Sequence, residues 1–422
     1  MDKLVIQGGK TLRGTISIGG SKNAVLPMMA AALLADGKYR FENVPMLRDV
    51  YTMAKLLEGI GVKVHIGSHV LEMETGAFRH FEAPYELVKT MRASIYVLGP
   101  LLGRFGKAKV SLPGGCAWGP RPVNLHIEGL RKLGAQMEID QGYIIAKTKR
   151  LKGARITFEK TSVGATGNLL LASVLAKGIT VIENAALEPE ITALARFLVK
   201  MGAKINGIGT PHLEIEGVDA LHPADERIIP DRIETGTYLV AGHITGGSLR
   251  LENTDPTLLV AVIDKLRESG AHIEEGENWI SIASDGKIKP TDVVTSPYPG
   301  FPTDMQAQWI TLMSIASGTS LVTDTVFHDR FTHVPELQRL GANLTIDHNV
   351  CIVRGVDHLS GTRVMSTDLR ASASLVLAGL VARGTTEISR IYHLDRGYEA
   401  IEIKLQQVGA NIRREKDTLE IG

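Results

Sequence analysis

Cysteine is nearly missing: Cys116 and Cys351 are the only two among 422 residues, too few for a disulfide framework, so each free thiol needs its own explanation. Excess charge is missing too. With 47 Lys and Arg against 46 Asp and Glu, the net charge of +1 offers no bulk attraction to nucleic acid or to an anionic membrane surface. No apolar run approaches the roughly 20 residues of a membrane span, and the opening MDKLVIQGG carries no apolar signal segment, so a cytoplasmic protein is expected. None of the 13 histidines shows metal-ligand spacing, and His328 and His333 read as members of a polar loop. A Walker lysine motif and a GxGxxG after a strand are both lacking, which leaves nucleotide hydrolysis and dinucleotide chemistry without support. Neither a metal nor a cofactor is expected, and no protein partner can be deduced.

What is present is repetition. A helical pattern closed by glycine and followed by a short strand occurs six times, as LLEGIGVKV, GLRKLGAQMEI, FLVKMGAKI, KLRESGAHI, ELQRLGANLTI and KLQQVGANI. The closing glycines, Gly61, Gly134, Gly202, Gly270, Gly341 and Gly409, recur about every 70 residues and suit the left-handed position that ends a helix. A second element keeps the same period: small and apolar residues running to Gly37, Gly106, Gly178, Gly247, Gly318 and Gly384, as in GNLLLASVLAKGITVIEN. Apolar almost all round, this helix should be buried, whereas the first kind carries charges and should face water. Each unit then holds one helix of each kind and several short strands, an α/β unit unable to bury its own apolar surface. A chain of 422 residues suits two domains of roughly 200 residues, hence three units per domain, with the charged stretch HPADERIIPDRIE marking a boundary near residue 230.

Departures from the repeat single out chemistry. Equivalent starts of the six buried helices fall on Lys22, Arg92, Gly164, Arg232, Asp304 and Arg370. Four are cations at the end of a helix where the dipole disfavours positive charge, by about 0.3–1 kcal/mol. A bound phosphate or carboxylate would reverse that sign, while solvated loop charges are the plain alternative. Asp304, in PTDMQAQ, is either a capping residue or an acid among cations, ionised and able to accept a proton from a hydroxyl. VGATGN is first of all a helix start, and secondarily a phosphate or ribose contact.

The loop SLPGGCAWGPRPVNLH, residues 111–126, has no counterpart in the other units. Its glycines and prolines surround Cys116, and Arg121 lies five residues on, a setting that lowers a thiol pKa; an incidental surface thiol is the alternative. Cys351, in the apolar NVCIVRG, reads as a buried small hydrophobe.

Taken together, SKN at 21–23, the GGC…RPVNLH loop, PTDMQAQ, FHDRFTHVPEL at 327–337, TDLRA at 367–371 and LDRGYE at 394–399 resemble the enolpyruvyl transferase family, in particular its UDP-N-acetylglucosamine 1-carboxyvinyltransferases. The resemblance covers essentially the whole chain. It implies two inside-out α/β barrel domains, 22–229 and 1–21 plus 230–422, with the first strand or two returning to the C-terminal domain and the active site in the interdomain cleft. It implies transfer of the enolpyruvyl group of phosphoenolpyruvate to UDP-N-acetylglucosamine in peptidoglycan precursor synthesis. Phosphoenolpyruvate contacts carry over to Lys22, Asn23, Arg121 and Arg396, with Cys116 as proton donor and site of a covalent adduct. Sugar-nucleotide contacts carry over to Arg92, Arg121, Pro122, Val123, Asn124, Leu125, Ser162, Val163, Gly164, Asp304 and Val326, while Arg330, Asp368 and Arg370 surround the reacting centre. Cys116 as acid and Asp304 as base complete the expectation. The sister enzyme that uses shikimate 3-phosphate shares the fold, and the thiol loop argues against it. A non-enzymatic repeat protein would not need one thiol loop in one unit or one acid among equivalent cations.

Overall fold

The computed structural model describes residues 2–76, 78, 80–112 and 123–416; Cys116, Arg121 and Pro122 lie outside the described residues. Two kinds of helix alternate along the chain: α1 (Lys22–Ala31), α2 (Arg48–Ile60), α3 (Leu98–Phe105), α4 (Asn124–Lys132), α5 (Val163–Ser173), α6 (Pro189–Lys200), α7 (Arg232–Ile244), α8 (Val260–Glu268), α9 (Gln306–Met313), α10 (Val334–Arg339), α11 (Leu369–Val381) and α12 (Ile401–Gln407). The odd-numbered helices are the apolar ones, and α7 and α9 are buried at every residue. The even-numbered helices bury one stripe; in α2 it is Val50, Met53, Ala54 and Leu57, the helical spacing of an amphipathic face. All six closing glycines of these helices have φ between 90° and 121°, where a side chain would be strained. In the other set the fourth copy uses Gly246 rather than Gly247, and Gly318 does not adopt positive φ.

Small residues in the buried helices serve close approach. A Cβ on Gly99 of α3 would fall 2.4 Å from the backbone oxygen of Asn168 in α5, and one on Gly103 would fall 2.9 Å from that of Ala172.

Among the described residues the strands form six four-stranded sheets of one pattern, a parallel pair at one edge followed by two antiparallel pairs. Three strands complete sheets that are distant in sequence. Asp2–Gln7 lies between Thr385–Ser389 and Asn411–Lys416, with Ile6 opposite Thr386 and Ile412. Arg13–Ser17 runs parallel to Ser248–Glu252, and Glu226–Arg227 runs parallel to Gly37–Glu42. The chain falls into two compact units, one made of the residues up to Gly19 with those from Pro230 on, the other of Gly20–Ile229. Each has its own hydrophobic core. In each, apolar helices fill the centre while sheets and amphipathic helices cover them, the inside-out α/β arrangement with three repeats. Among the described residues no helix is long and apolar enough to cross a membrane.

Candidate functional site

The six positions read as equivalent all fall at the start of a buried helix. Lys22 and Arg232 are the first residues of α1 and α7, and Gly164 and Arg370 the second residues of α5 and α11. Arg92 opens a 3-10 turn that runs into α3, and Asp304 lies in the 3-10 turn Thr303–Met305 that leads into α9. Within Gly20–Ile229, Lys22 is buried with its Nζ 3.2 Å from Oδ2 of Asp49, a buried acid near the start of α2 that the sequence did not single out. Asn23 beside it is exposed. Val123 and the exposed Asn124 lead into α4, and Leu125 follows half-buried. Ser162 caps α5, its Oγ accepting from the Ala165 N–H at 3.3 Å, and Val163 is the exposed first residue of that helix.

The same unit holds a histidine that sequence reasoning passed over. His126, in the first turn of α4, is 7% exposed. Asn168 donates from Nδ2 to His126 Nδ1 at 3.0 Å and to the Ile95 carbonyl at 2.9 Å, while its Oδ1 accepts from the Gly99 N–H at 2.7 Å. With Nδ1 accepting, the proton belongs on Nε2, and that nitrogen faces Gly164: a Cβ there would be 3.2 Å away. Burial, and then the Arg92 charge, push the imidazole down to about 4, so it is neutral in ordinary conditions.

In the other unit the structure brings three predicted residues into direct contact. Asp304 Oδ1 is 2.7 Å from Arg330 Nη1, and Oδ2 is 2.7 Å from Arg370 Nη2. The arginine side chains are 6% and 7% exposed and the carboxylate side chain 28%, so the acid is the most open member of the cluster. Burial pushes its carboxyl up, but Arg370 and Arg330 outweigh that and hold it well below the usual carboxylate range. Asp304 is therefore ionised, and it makes no capping bond to α9. Arg370 also donates to Tyr398 at 3.4 Å, and Tyr398 shares a 2.8 Å hydrogen bond with Thr237. Asp368 caps α11: its Oδ1 accepts from the N–H groups of Arg370 and Ala371, and its Oδ2 from the Thr332 hydroxyl. Val326 donates its N–H to Asp324, and Arg396 ends the half-buried turn Ile391–Arg396.

Two further residues separate cleanly. His333, expected in a polar loop, is instead 2% exposed at the start of α10, drawn inward because its neighbours Phe331 and Val334 belong to the core. Cys351 is a buried strand residue whose thiol burial pushes up to about 12, so it is inert at neutral pH.

Comparison with known proteins adds the chemical context. The family model described as EPSP synthase (3-phosphoshikimate 1-carboxyvinyltransferase) matches residues 6–420. The chain is 60% identical to the UDP-N-acetylglucosamine 1-carboxyvinyltransferase of Chloroherpeton thalassium, over 98% of this chain and 97% of that protein. It is 55% identical to the enzyme of the same name from Shewanella denitrificans, over 99% of this chain and 100% of that one. Among solved structures it superposes on the enolpyruvyl transferase NikO of Streptomyces tendae with a TM-score of 0.89 at 27% identity, over 98% of both chains. An EPSP synthase of Acinetobacter baumannii shares the fold, with a TM-score of 0.75 at 18% identity over 99% of this chain and 100% of that one.

Proposed function

Since the chain belongs to the EPSP synthase (3-phosphoshikimate 1-carboxyvinyltransferase) family, we propose a role for each of its site residues in the reaction that it catalyses. It is a transferase that moves the enolpyruvyl group of phosphoenolpyruvate to the 3-hydroxyl of UDP-N-acetylglucosamine and releases phosphate, a step of peptidoglycan precursor synthesis. The observation that carries the acceptor is identity of 54–60% over nearly the whole chain with curated relatives of that one name, against 18% with the solved shikimate-branch enzyme. We place the reaction in the cytoplasm.

The reaction needs cations for a carboxylate, a phosphate and a diphosphate, and an acid and a base for three proton transfers: the methylene carbon gains a proton, the attacking hydroxyl loses one, and the methyl group so formed gives one back as phosphate leaves. Lys22, Arg121 and Arg396, with Asn23, hold phosphoenolpyruvate. Arg92, Arg121 to Leu125, Ser162 to Gly164 and Val326 receive the sugar nucleotide. Cys116 protonates the methylene carbon, and Asp304 takes the proton of the attacking hydroxyl. Asp304 is ionised, as a base must be, yet two guanidiniums at 2.7 Å make it a weak one. Substrate anions that draw on Arg330 or Arg370 restore its basicity as they arrive, so proton removal follows assembly of the reactants.

The test is phosphate release from phosphoenolpyruvate with each acceptor. Turnover with UDP-N-acetylglucosamine and none with shikimate 3-phosphate is expected; activity with the latter alone would overturn the assignment.

A further inference from the structure

Asp324 is assigned no contact with either reactant, yet it holds two groups that are placed at the site: Val326 directly, and Arg330 through Thr303. It ends the strand Thr319–Asp324 and is fully buried. Among the described residues four groups reach its carboxylate, and all four donate. Oδ1 accepts from the Thr295 hydroxyl at 2.7 Å and from the N–H groups of Val326 and Phe327, each at 2.9 Å; Oδ2 accepts from the Thr303 hydroxyl at 2.7 Å. With its proton committed to Asp324, Thr303 has only lone pairs to offer Arg330, whose Nη1 donates to it at 3.0 Å. That same Nη1 reaches Asp304 at 2.7 Å. Hydrogen-bond direction is thus set along the whole line from Arg330 through Thr303 to Asp324. The Val326–Phe327 turn is the other thing Asp324 holds.

We propose that Asp324 is a positioning residue with two functions: through Thr303 it aims Arg330 at Asp304, and through the backbone of Val326 and Phe327 it shapes the turn that meets the sugar nucleotide. This rests on the reaction assigned above. Thr303 carries the first function alone and has no part in the second, which makes the two separable. An asparagine at 324 would put a donor among four donors, disturbing both at once.

The experiment combines phosphate-release kinetics with calorimetric binding of UDP-N-acetylglucosamine alone, for Thr303→Val, Thr303→Ser, Asp324→Asn and the Thr303→Val/Asp324→Asn double variant. Misplacing Arg330 in Thr303→Val lowers kcat by about 10–100-fold and leaves nucleotide Kd within about twofold, while Thr303→Ser, which keeps the hydroxyl, stays within about threefold of the wild type. Asp324→Asn lowers kcat and also weakens the nucleotide about tenfold, and the double variant is no more than about twofold slower than Asp324→Asn because both changes break one line of contacts. Equal activity of Thr303→Val and Thr303→Ser, multiplied kcat losses in the double variant, or unchanged nucleotide affinity in a folded Asp324→Asn each overturn the proposal. If Asp324→Asn does not fold, Thr303→Val and Thr303→Ser decide the aiming of Arg330, and Asp324→Ser, which removes the carboxylate without setting an amide among the donors, decides the turn by the same calorimetry, unchanged nucleotide affinity again overturning it. A wild type inactive on UDP-N-acetylglucosamine overturns the functional reading itself; an active one with an indifferent Thr303→Val overturns only the positioning role.

Discussion

Replacing Asp304 by asparagine tests the arginine clamp most directly. The amide keeps the shape of the carboxylate but has one acceptor oxygen and no charge, so of the two guanidiniums at 2.7 Å at least one meets an NH₂ group. Both arginines are buried and lose the carboxylate between them. Breaking a buried ion pair by removing one partner costs about 3–5 kcal/mol, and the partial exposure of this acid puts the expected loss nearer 2–3. In a unit of roughly 200 residues each kcal/mol moves Tm by about 2–4 °C, so the unit carrying Asp304 should melt about 4–12 °C lower. Because the folded carboxyl sits below its unfolded value of about 3.9, its contribution is complete above that pH and lost as pH falls through the lower folded value. The deficit should then be constant from about pH 5 to 9 and shrink only in stronger acid. Inorganic phosphate supplies the variant with a substitute anion: tenfold tighter binding would return about 1.4 kcal/mol, or roughly 3–6 °C. Differential scanning calorimetry with and without phosphate measures all three effects. A variant as stable as the wild type, or one that gains no more from phosphate than the wild type does, would refute the claim that Asp304 balances these two charges.

Other outcomes follow from the same reasoning. Cys116→Ser should be nearly inactive and Cys116→Asp substantially active, because a hydroxyl is too weak an acid; steady-state turnover checks both. A phosphonate epoxide such as fosfomycin should alkylate Cys116, and peptide mapping should find none of it on Cys351, whose buried thiol is pushed up to about 12. Lys22→Ala and Arg396→Ala should each weaken phosphoenolpyruvate handling by about 2–5 kcal/mol and leave calorimetric binding of the nucleotide alone nearly normal. Loss of nucleotide binding in folded protein would show that the cations are divided wrongly. Asn168→Asp should raise the pKa of His126, now held at about 4, by setting a carboxylate against Nδ1; unchanged imidazole shifts in an NMR titration would contradict the hydrogen-bond assignment.

Much of this molecule was determined by its sequence alone, because the relevant physics is local. A glycine that must take positive φ is marked by the helix it closes, and all six at the ends of the even-numbered helices behave so. Burial of the Ala- and Leu-rich helices follows from composition, and the starts of those helices follow from the repeat, so Lys22, Arg92, Gly164, Arg232, Asp304 and Arg370 could be aligned with no coordinates. Tertiary structure decided what depends on long-range meeting. Strand pairing is satisfied by any extended segment of suitable pattern, so nothing in DKLVIQ announces that it will lie between strands that begin at Thr385 and Asn411. Charge balance is likewise a matter of distance. That Asp304 meets two arginines, one 26 and the other 66 residues away, that Lys22 meets Asp49, and that Asn168 sets the His126 proton all required the fold. Asp324 shows the limit best: in the line SLVTDTVF it is one more acid at a strand end with a turn to hold, and only the fold brings it the Thr295 and Thr303 hydroxyls and, through Thr303, its link to Arg330.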